Sequence, residues 1–211
     1  MVRLLSRPAS VALLFLAFTS AVWAGPGFPD VRTAASANGK FLVAVEFEYL
    51  NPDQPVRTIK RITYRILRRE EFINDEFTTT NPFWSNDWDI DMVGPQAEIS
   101  LPFISNDGEY LVLVATNPPF SDLTVLRIYR KHLSGGADLL RTYKLKDIWT
   151  ADELKAHANL LSSGRPLWFA GSTLGFSADG SAFVVKTPWD REPPRSREVR
   201  LDLNGGASHT Q

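Results

Sequence analysis

Four carboxylate residues stand at spacings that could hold a calcium ion. Counted from the first of them, they occupy positions 1, 3, 5 and 12 of a twelve-residue segment: Asp87, Asp89, Asp91 and Glu98. Alternate carboxylates can converge on one hard cation, and Ca²⁺ prefers oxygen ligands. Position 6 is Met92, where a calcium loop needs glycine for its sharp turn. The alternative is therefore an acidic strand face, with Trp88 and Ile90 turned inward.

Aromatic and amide side chains in the same segment offer a second kind of chemistry. Trp84, Asn86 and Trp88 alternate along the chain. Flat indole rings stack on the apolar faces of sugars, and amides bind hydroxyl groups, so these residues predict a carbohydrate-binding surface. The alternative is that the tryptophans cover the hydrophobic core, because an indole ring has a large apolar area to bury.

Other catalytic chemistries have little support in the sequence. The chain has three histidines and no cysteine, and it contains no Gly-x-Ser-x-Gly motif, zinc-ligand spacing or glycine-rich phosphate loop. Paired carboxylates for glycoside hydrolysis stay open, since such partners meet only in the fold. We therefore expect no cofactor other than calcium.

The first residues have the pattern of an export signal. Arg3 and Arg7 precede an apolar run at Val11–Phe18, and Val22–Ala24 offers a cleavage site for a signal peptidase. The run is too short to span a bilayer in the mature protein, although an uncleaved anchor is the alternative. We expect a periplasmic or secreted protein with residues 1–24 removed and no membrane span after cleavage.

The overall charge balance favours no polyanionic partner. The 211 residues carry a formal net charge of −1, so the overall charge gives no electrostatic case for nucleic acid or for anionic membranes. The remaining candidates for a partner are an unknown protein or a glycan. Exposed strand edges make self-association an open question, and the oligomeric state stays unknown.

Three turn motifs divide the chain into the strands that must position these side chains. Ser36–Gly39, Ser105–Gly108 and Ser177–Gly180 each match Ser-x-Asn/Asp-Gly and each precede a strand rich in valine or aromatic residues. Such turns join antiparallel strands. The segment 99–145 contains four successive strand patterns, which predicts a meander sheet. The fold class is therefore mainly β, with antiparallel blade-like meander sheets packed together.

One helix is predicted at about residues 150–163. Thr150 and Glu153 form a capping box, Leu154 and Leu161 lie on one face, and Gly164 provides the stop signal. We expect this apolar face to pack on a sheet, because a helix of this length is marginal alone. The domain organisation is then a signal peptide at 1–24, one β-rich domain at 25–203 and a loose tail at 204–211.

The repeated turn and strand resemble the inner hairpin of a β-propeller blade, as in WD-repeat proteins and the periplasmic Tol-system propeller. The residues that carry this resemblance are Ser36–Val45, Ser105–Val114 and Ser177–Val185. The turn glycines are 69 and 72 residues apart, whereas propeller blades recur at roughly 40–45. An incomplete or closed propeller is therefore the alternative fold.

Two functions follow from these patterns. The first is an exported, non-enzymatic binding or protein-interaction module, whose loops make the contacts. The second is a carbohydrate-active or calcium-assisted hydrolase that uses the four carboxylates named above. They are distinguished by whether those carboxylates converge in a concave site.

Overall fold

The computed structural model describes residues 31–53, 58–70, 83–93, 99–116, 122–155, 168–169, 172–187, 197–204 and 207–210. In this part of the chain, twelve strands form three four-stranded antiparallel sheets. Each sheet is a meander in which consecutive strands are hydrogen-bonded neighbours. This confirms the predicted mainly β fold with blade-like sheets.

The strands are numbered along the chain, and each sheet takes four of them. Sheet 1 contains β1 (Val31–Ala35), β2 (Phe41–Tyr49), β3 (Ile59–Glu70) and β4 (Phe83–Val93). Sheet 2 contains β5 (Ser100–Ile104), β6 (Tyr110–Ala115), β7 (Thr124–Lys131) and β8 (Ala137–Lys144). Sheet 3 contains β9 (Thr173–Phe176), β10 (Ala182–Thr187), β11 (Arg197–Asp202) and β12 (Ala207–Thr210).

The first hairpin of every sheet closes through the same side-chain chemistry. The hydroxyl oxygens of Ser36, Ser105 and Ser177 accept hydrogen bonds of 3.0, 3.0 and 3.1 Å from the backbone N–H five residues later. Each hydroxyl donates to the Asn or Asp side chain two residues on. The glycine that follows has φ between 68° and 75°, a conformation that favours glycine. The three predicted turns are confirmed.

Two hydrophobic clusters hold the sheets together. One joins sheets 1 and 2 and includes Val43, Ile62 and Leu111. The other joins sheets 2 and 3 and includes Val112, Phe183 and Leu201. Sheet 2 contributes to both clusters because alternate residues of β6 face opposite sides, and Leu111–Ala115 are all buried. Sheet 2 is therefore the middle layer of the stack.

The predicted capping box is present. Glu153 Oε2 accepts a 2.6 Å hydrogen bond from the Thr150 N–H, and the Glu153 N–H donates to Thr150 Oγ1 at 3.2 Å. Residues 151–155 are helical, and the rest of the predicted helix lies outside the described residues. A second, four-residue helix that the sequence analysis missed, α1 (Leu145–Ile148), directly follows β8.

The carboxyl-terminal segment differs from the predicted loose tail. Ala207–Thr210 forms β12, which pairs with β11 from Ala207↔Leu201 to Thr210↔Glu198. Pairing of this kind needs only backbone groups, so the low apolar content of the segment does not prevent it. The predicted signal peptide at 1–24 lies outside the described residues. None of the described helices is long and apolar enough to cross a membrane.

Candidate functional site

A β-bulge in β4 decides where the predicted carboxylates point. Trp88 is opposite Ile66, but the next pair along the two strands is Asn86 with Leu67, so Asp87 has no partner on β3. A bulge bends the strand and re-aims the extra side chain. The carboxylate of Asp87 turns toward sheet 2, where its Oδ2 lies 2.8 Å from Lys131 Nζ. Asp87 therefore belongs to the junction between sheets 1 and 2.

The other two described carboxylates of the predicted calcium site lie on the solvent face of sheet 1. Asp89 is opposite Arg65, and Asp91 is opposite Thr63 and accepts a 2.5 Å hydrogen bond from its hydroxyl. Both acidic residues are exposed. Asp87 therefore does not converge with them, which agrees with the alternative of an acidic strand face.

Glu98, the fourth predicted ligand, lies outside the described residues. Among the described residues, no group of three or more His, Cys, Asp or Glu side chains could hold a metal ion. The four-residue calcium site stays a prediction, and the geometry of the three described carboxylates does not support it.

The predicted sugar-binding residues are divided by the same bulge. Trp88 is only 1% exposed, and its indole N–H donates a 2.9 Å hydrogen bond to the Gly108 carbonyl, so this ring belongs to the core. Trp84 is half-buried and Asn86 is exposed. These two residues are opposite Arg69 and Leu67. Trp84 and Asn86 can still contact a ligand, whereas Trp88 has no free ring face.

Asp87, Lys131 and Arg68 form a charged cluster at the junction of the first two sheets. Arg68 Nη2 lies 3.4 Å from Asp87 Oδ1, on the opposite carboxylate oxygen from Lys131. The Asp87 side chain is 8% exposed, compared with 25% for Lys131 and 59% for Arg68. The carboxylate is therefore enclosed, while its two cations reach solvent. We call these three residues the junction cluster.

A second enclosed carboxylate, Glu153, has a structural role. Its side chain is 3% exposed and receives hydrogen bonds from Arg197 Nε at 3.1 Å and Nη2 at 2.6 Å. Burial raises the pKa of Glu153, but the bonds from Arg197 and from the Thr150 N–H outweigh it and leave the pKa below its usual value. These bonds attach the helix start to β11, so Glu153 has little capacity left for a substrate.

Several other charged residues of sheet 1 form ion pairs across its solvent face. Arg65 Nη1 lies 2.8 Å from Glu46 Oε1, and Lys60 pairs with Glu48. All four side chains are 39–49% exposed. Exposed pairs of this kind are screened by solvent, so they stabilise the strand pairing only slightly. The junction cluster is thus the best candidate site among the described residues.

Sequence reasoning identified Asp87 but missed its partners. Lys131 is 44 residues away on another sheet, and no local pattern links the two positions. Arg68 lies on a different strand, β3, and likewise has no local link to Asp87. The acidic segment is long enough to contain a β-bulge, and a bulge can reverse the direction of one side chain. This was the one local sign that Asp87 could point away from Asp89.

Comparison with known protein families and with curated proteins finds no match. Two solved structures are similar in arrangement. One, from Bacteroides fragilis, is described as a "putative 6-phosphogluconolactonase"; it is 11% identical with a TM-score of 0.40, over 85% of this chain and 37% of the other. Another, from Bacteroides uniformis, has the same description. It is 11% identical with a TM-score of 0.38, and the match covers 86% of this chain and 53% of the other. The chain thus spans about a third to a half of their length.

These similarities correct one prediction. Both neighbours are described as enzymes, which contradicts the prediction of a non-enzymatic binding module, so that prediction is wrong. At these values the likeness is confined to a β-rich arrangement of strands and identifies no acting residue in this chain.

Proposed function

We propose that this protein is a carbohydrate-active hydrolase in which Asp87 of the junction cluster activates water. The observation that supports the proposal is the re-aimed Asp87 carboxylate, which is enclosed between two sheets and flanked by two cations that reach solvent. Bulges are over-represented beside active sites, where they direct one side chain away from the strand pattern.

The chemistry of the junction cluster suits hydrolysis. An ionised carboxylate can accept a proton from water as the water attacks an electrophilic carbon, and the carboxylic acid so formed can return that proton to the departing alkoxide oxygen when the C–O bond breaks. Lysine and arginine next to it can stabilise the negative charge that develops on the oxygen of the attacked group. Arg68, with its long and largely exposed side chain, can move from Asp87 to a substrate, while Lys131 holds the carboxylate in place.

The carbohydrate part of the proposal depends on residues close to Asp87 in the same strand. Trp84 offers a partly exposed indole ring and Asn86 an exposed amide, the pair of groups that binds the faces and hydroxyls of sugars. Calcium has no place in this proposal, because Lys131 and Arg68 already neutralise Asp87. We further propose that the three sheets are propeller-type blades, which is supported by the shared turn chemistry and meander order.

The proposal is tested by comparing two carboxylates of the same strand. Purified wild type, Asp87→Asn and Asp89→Asn are assayed for hydrolysis of sugar lactones, including 6-phosphogluconolactone, and of nitrophenyl glycosides. We expect Asp87→Asn to lower kcat by about 100-fold or more, as for loss of a general base, and Asp89→Asn to stay within about twofold. Equal rates for the two variants, or no hydrolysis of any substrate by wild type, would contradict the proposal.

Export is a separate proposal, supported by the arginines and apolar run of residues 1–24. Expression of the full chain in a bacterium, followed by fractionation and amino-terminal sequencing, tests it. We expect the mature protein outside the cytoplasm, beginning at Gly25. A cytoplasmic protein that retains Met1 would overturn it.

A further inference from the structure

An exposed apolar group projects from the hairpin between β7 and β8. Leu133 at the tip of this hairpin is 105% exposed, so its side chain contacts almost nothing. Leu139 and Leu140, near the start of β8, are 51% and 38% exposed. Three exposed leucines therefore lie on one hairpin, whereas isolated exposed apolar residues are normal on a protein surface.

The turn holds Leu133 in this exposed position. The His132 N–H donates a 2.7 Å hydrogen bond to the Gly136 carbonyl, and the Gly135 N–H donates to the His132 carbonyl at 3.0 Å. The His132 ring also contacts the Ser134 hydroxyl at 2.6 Å. Gly135 has φ of +89°, which glycine adopts without strain. Leu133 is thus presented by a closed turn.

Basic residues lie along the same hairpin. Positions 130–146 contain five lysines and arginines and one aspartate, in a chain that has 23 basic and 24 acidic residues overall. Lys131 and Lys146 pair with Asp87 and Asp122. Within the part of the chain that the structure describes, Arg141 and Lys144 are exposed and make no ion pair. β8 therefore carries projecting apolar groups together with two exposed cations, Arg141 and Lys144, that make no ion pair within the described residues.

We propose that the β7–β8 hairpin docks the protein on an anionic lipid surface. Leu133 enters the boundary between headgroups and acyl chains, Leu139 and Leu140 follow along β8, and Arg141 and Lys144 bind the anionic headgroups. This combination of apolar insertion and basic charge is the basis of peripheral membrane binding. The docking is peripheral and is independent of the hydrolase proposed above.

A lipid surface fits the hairpin better than an added protein strand. β8 has a bulge where Tyr129 pairs with Leu139 and Ile128 pairs with Arg141, which leaves Leu140 without a partner. Bulges and basic residues on an edge strand disfavour hydrogen bonding to a strand of another molecule. A bilayer needs no register with β8 and accepts leucines that project in different directions.

Vesicle binding of the purified protein tests this proposal at 0.1 M salt. Wild type is mixed with vesicles of neutral phosphatidylcholine and with vesicles that contain one-quarter phosphatidylglycerol. We expect binding to the anionic vesicles only. Leu133→Asp should weaken it by about tenfold or more, because the inserted group becomes charged. Arg141→Gln and Lys144→Gln should each weaken it by about fivefold.

A matched control comes from the other end of the molecule, where Leu50 is 64% exposed. Leu50→Asp should leave vesicle binding unchanged. When anionic vesicles are added, the tryptophan fluorescence of the Leu133→Trp variant should gain a blue-shifted component, whereas that of the Leu50→Trp variant should not. Circular dichroism confirms that the variants fold. Equal effects of the two aspartate variants would overturn the proposal. The proposal would also be overturned if the wild type did not bind vesicles but self-associated, and if Leu133→Asp abolished that self-association. The hairpin would then bind a protein partner.

Discussion

The indole N–H of Trp88 in sheet 1 donates a 2.9 Å hydrogen bond to the carbonyl of Gly108 in the first turn of sheet 2. Trp88 is adjacent to the bulge at Asp87, so the same local irregularity places one side chain in the core and its neighbour in the junction cluster. The phenyl ring of Phe41 packs directly against Gly108. The turn of sheet 2 is therefore fixed by two aromatic residues of sheet 1.

Gly108→Ala should destabilise the fold strongly. An added Cβ would lie 2.3 Å from Phe41 Cε1, and the backbone φ of +75° is unfavourable for alanine. We expect a loss of about 2–4 kcal/mol in the free energy of unfolding, measured by urea denaturation. Gly39→Ala is the control, since it has a similar φ of +68° and open space at the Cβ position. It should lose only about 1–2 kcal/mol, and an equal loss in both variants would show that the Phe41 contact is unimportant.

Trp88→Phe should weaken the junction of sheets 1 and 2. The variant leaves the Gly108 carbonyl without its donor and removes part of a buried ring, so we expect a loss of about 1–3 kcal/mol by thermal or urea denaturation. Trp84→Phe changes the same residue type on the same strand, but Trp84 is only half-buried. Its loss should be smaller, about 1 kcal/mol or less. A larger loss for Trp84→Phe would mean that the core role assigned to Trp88 is wrong.

Glu153→Gln should be costly because it leaves a cation in an enclosed site. The Arg197 side chain is 14% exposed and would lose the charge of its carboxylate partner. Removal of one member of a buried pair costs about 3–5 kcal/mol. Glu48→Gln removes a carboxylate that is 44% exposed and paired with Lys60, and it should change the free energy of unfolding far less, because solvent screens this pair. Chemical denaturation of the two variants at neutral pH makes the comparison.

Asp179 should titrate at unusually low pH. Hydrogen bonds lower the pKa of Asp179 from 3.8 to about 2. The bond from the Ser177 hydroxyl has the largest effect, and the bonds from the N–H and hydroxyl of Ser181 add to it. A folded-state pKa below the unfolded value means that its stabilising effect is complete above about pH 5 and is lost as the pH falls toward 2. Carbon-13 NMR of the carboxyl group measures this pKa directly.

Asp179→Asn provides the control for this titration. Asn38 occupies the equivalent position in the first turn and accepts a hydrogen bond from the hydroxyl of Ser36, as Asp179 does from Ser177. Asparagine should therefore preserve the turn. We expect the difference in unfolding free energy between wild type and Asp179→Asn to change between pH 4 and pH 2 and to stay constant above pH 5. A carboxyl that titrates near 3.8 would contradict the role given to the serine bonds.

The parts of the structure that depend on near neighbours can be read from the amino-acid sequence. The Ser-x-Asn/Asp-Gly turns are closed by groups two to five residues apart, and the capping box of Thr150 and Glu153 spans three. The alternating apolar residues of β2 and β3 likewise required a sheet with one buried face. Interactions at such short range leave a readable pattern along the chain.

The candidate site, in contrast, depends on how distant strands pair and pack. Whether Asp87 joins Asp89 on the solvent face depends on the bulge, and the bulge depends on which residues of β3 oppose β4. Its pairing with Lys131 also requires that sheet 2 stack against sheet 1. Strand register and sheet stacking arise from the packing of side chains far apart in sequence, so a side chain's direction and partners were fixed only when the sheets came together.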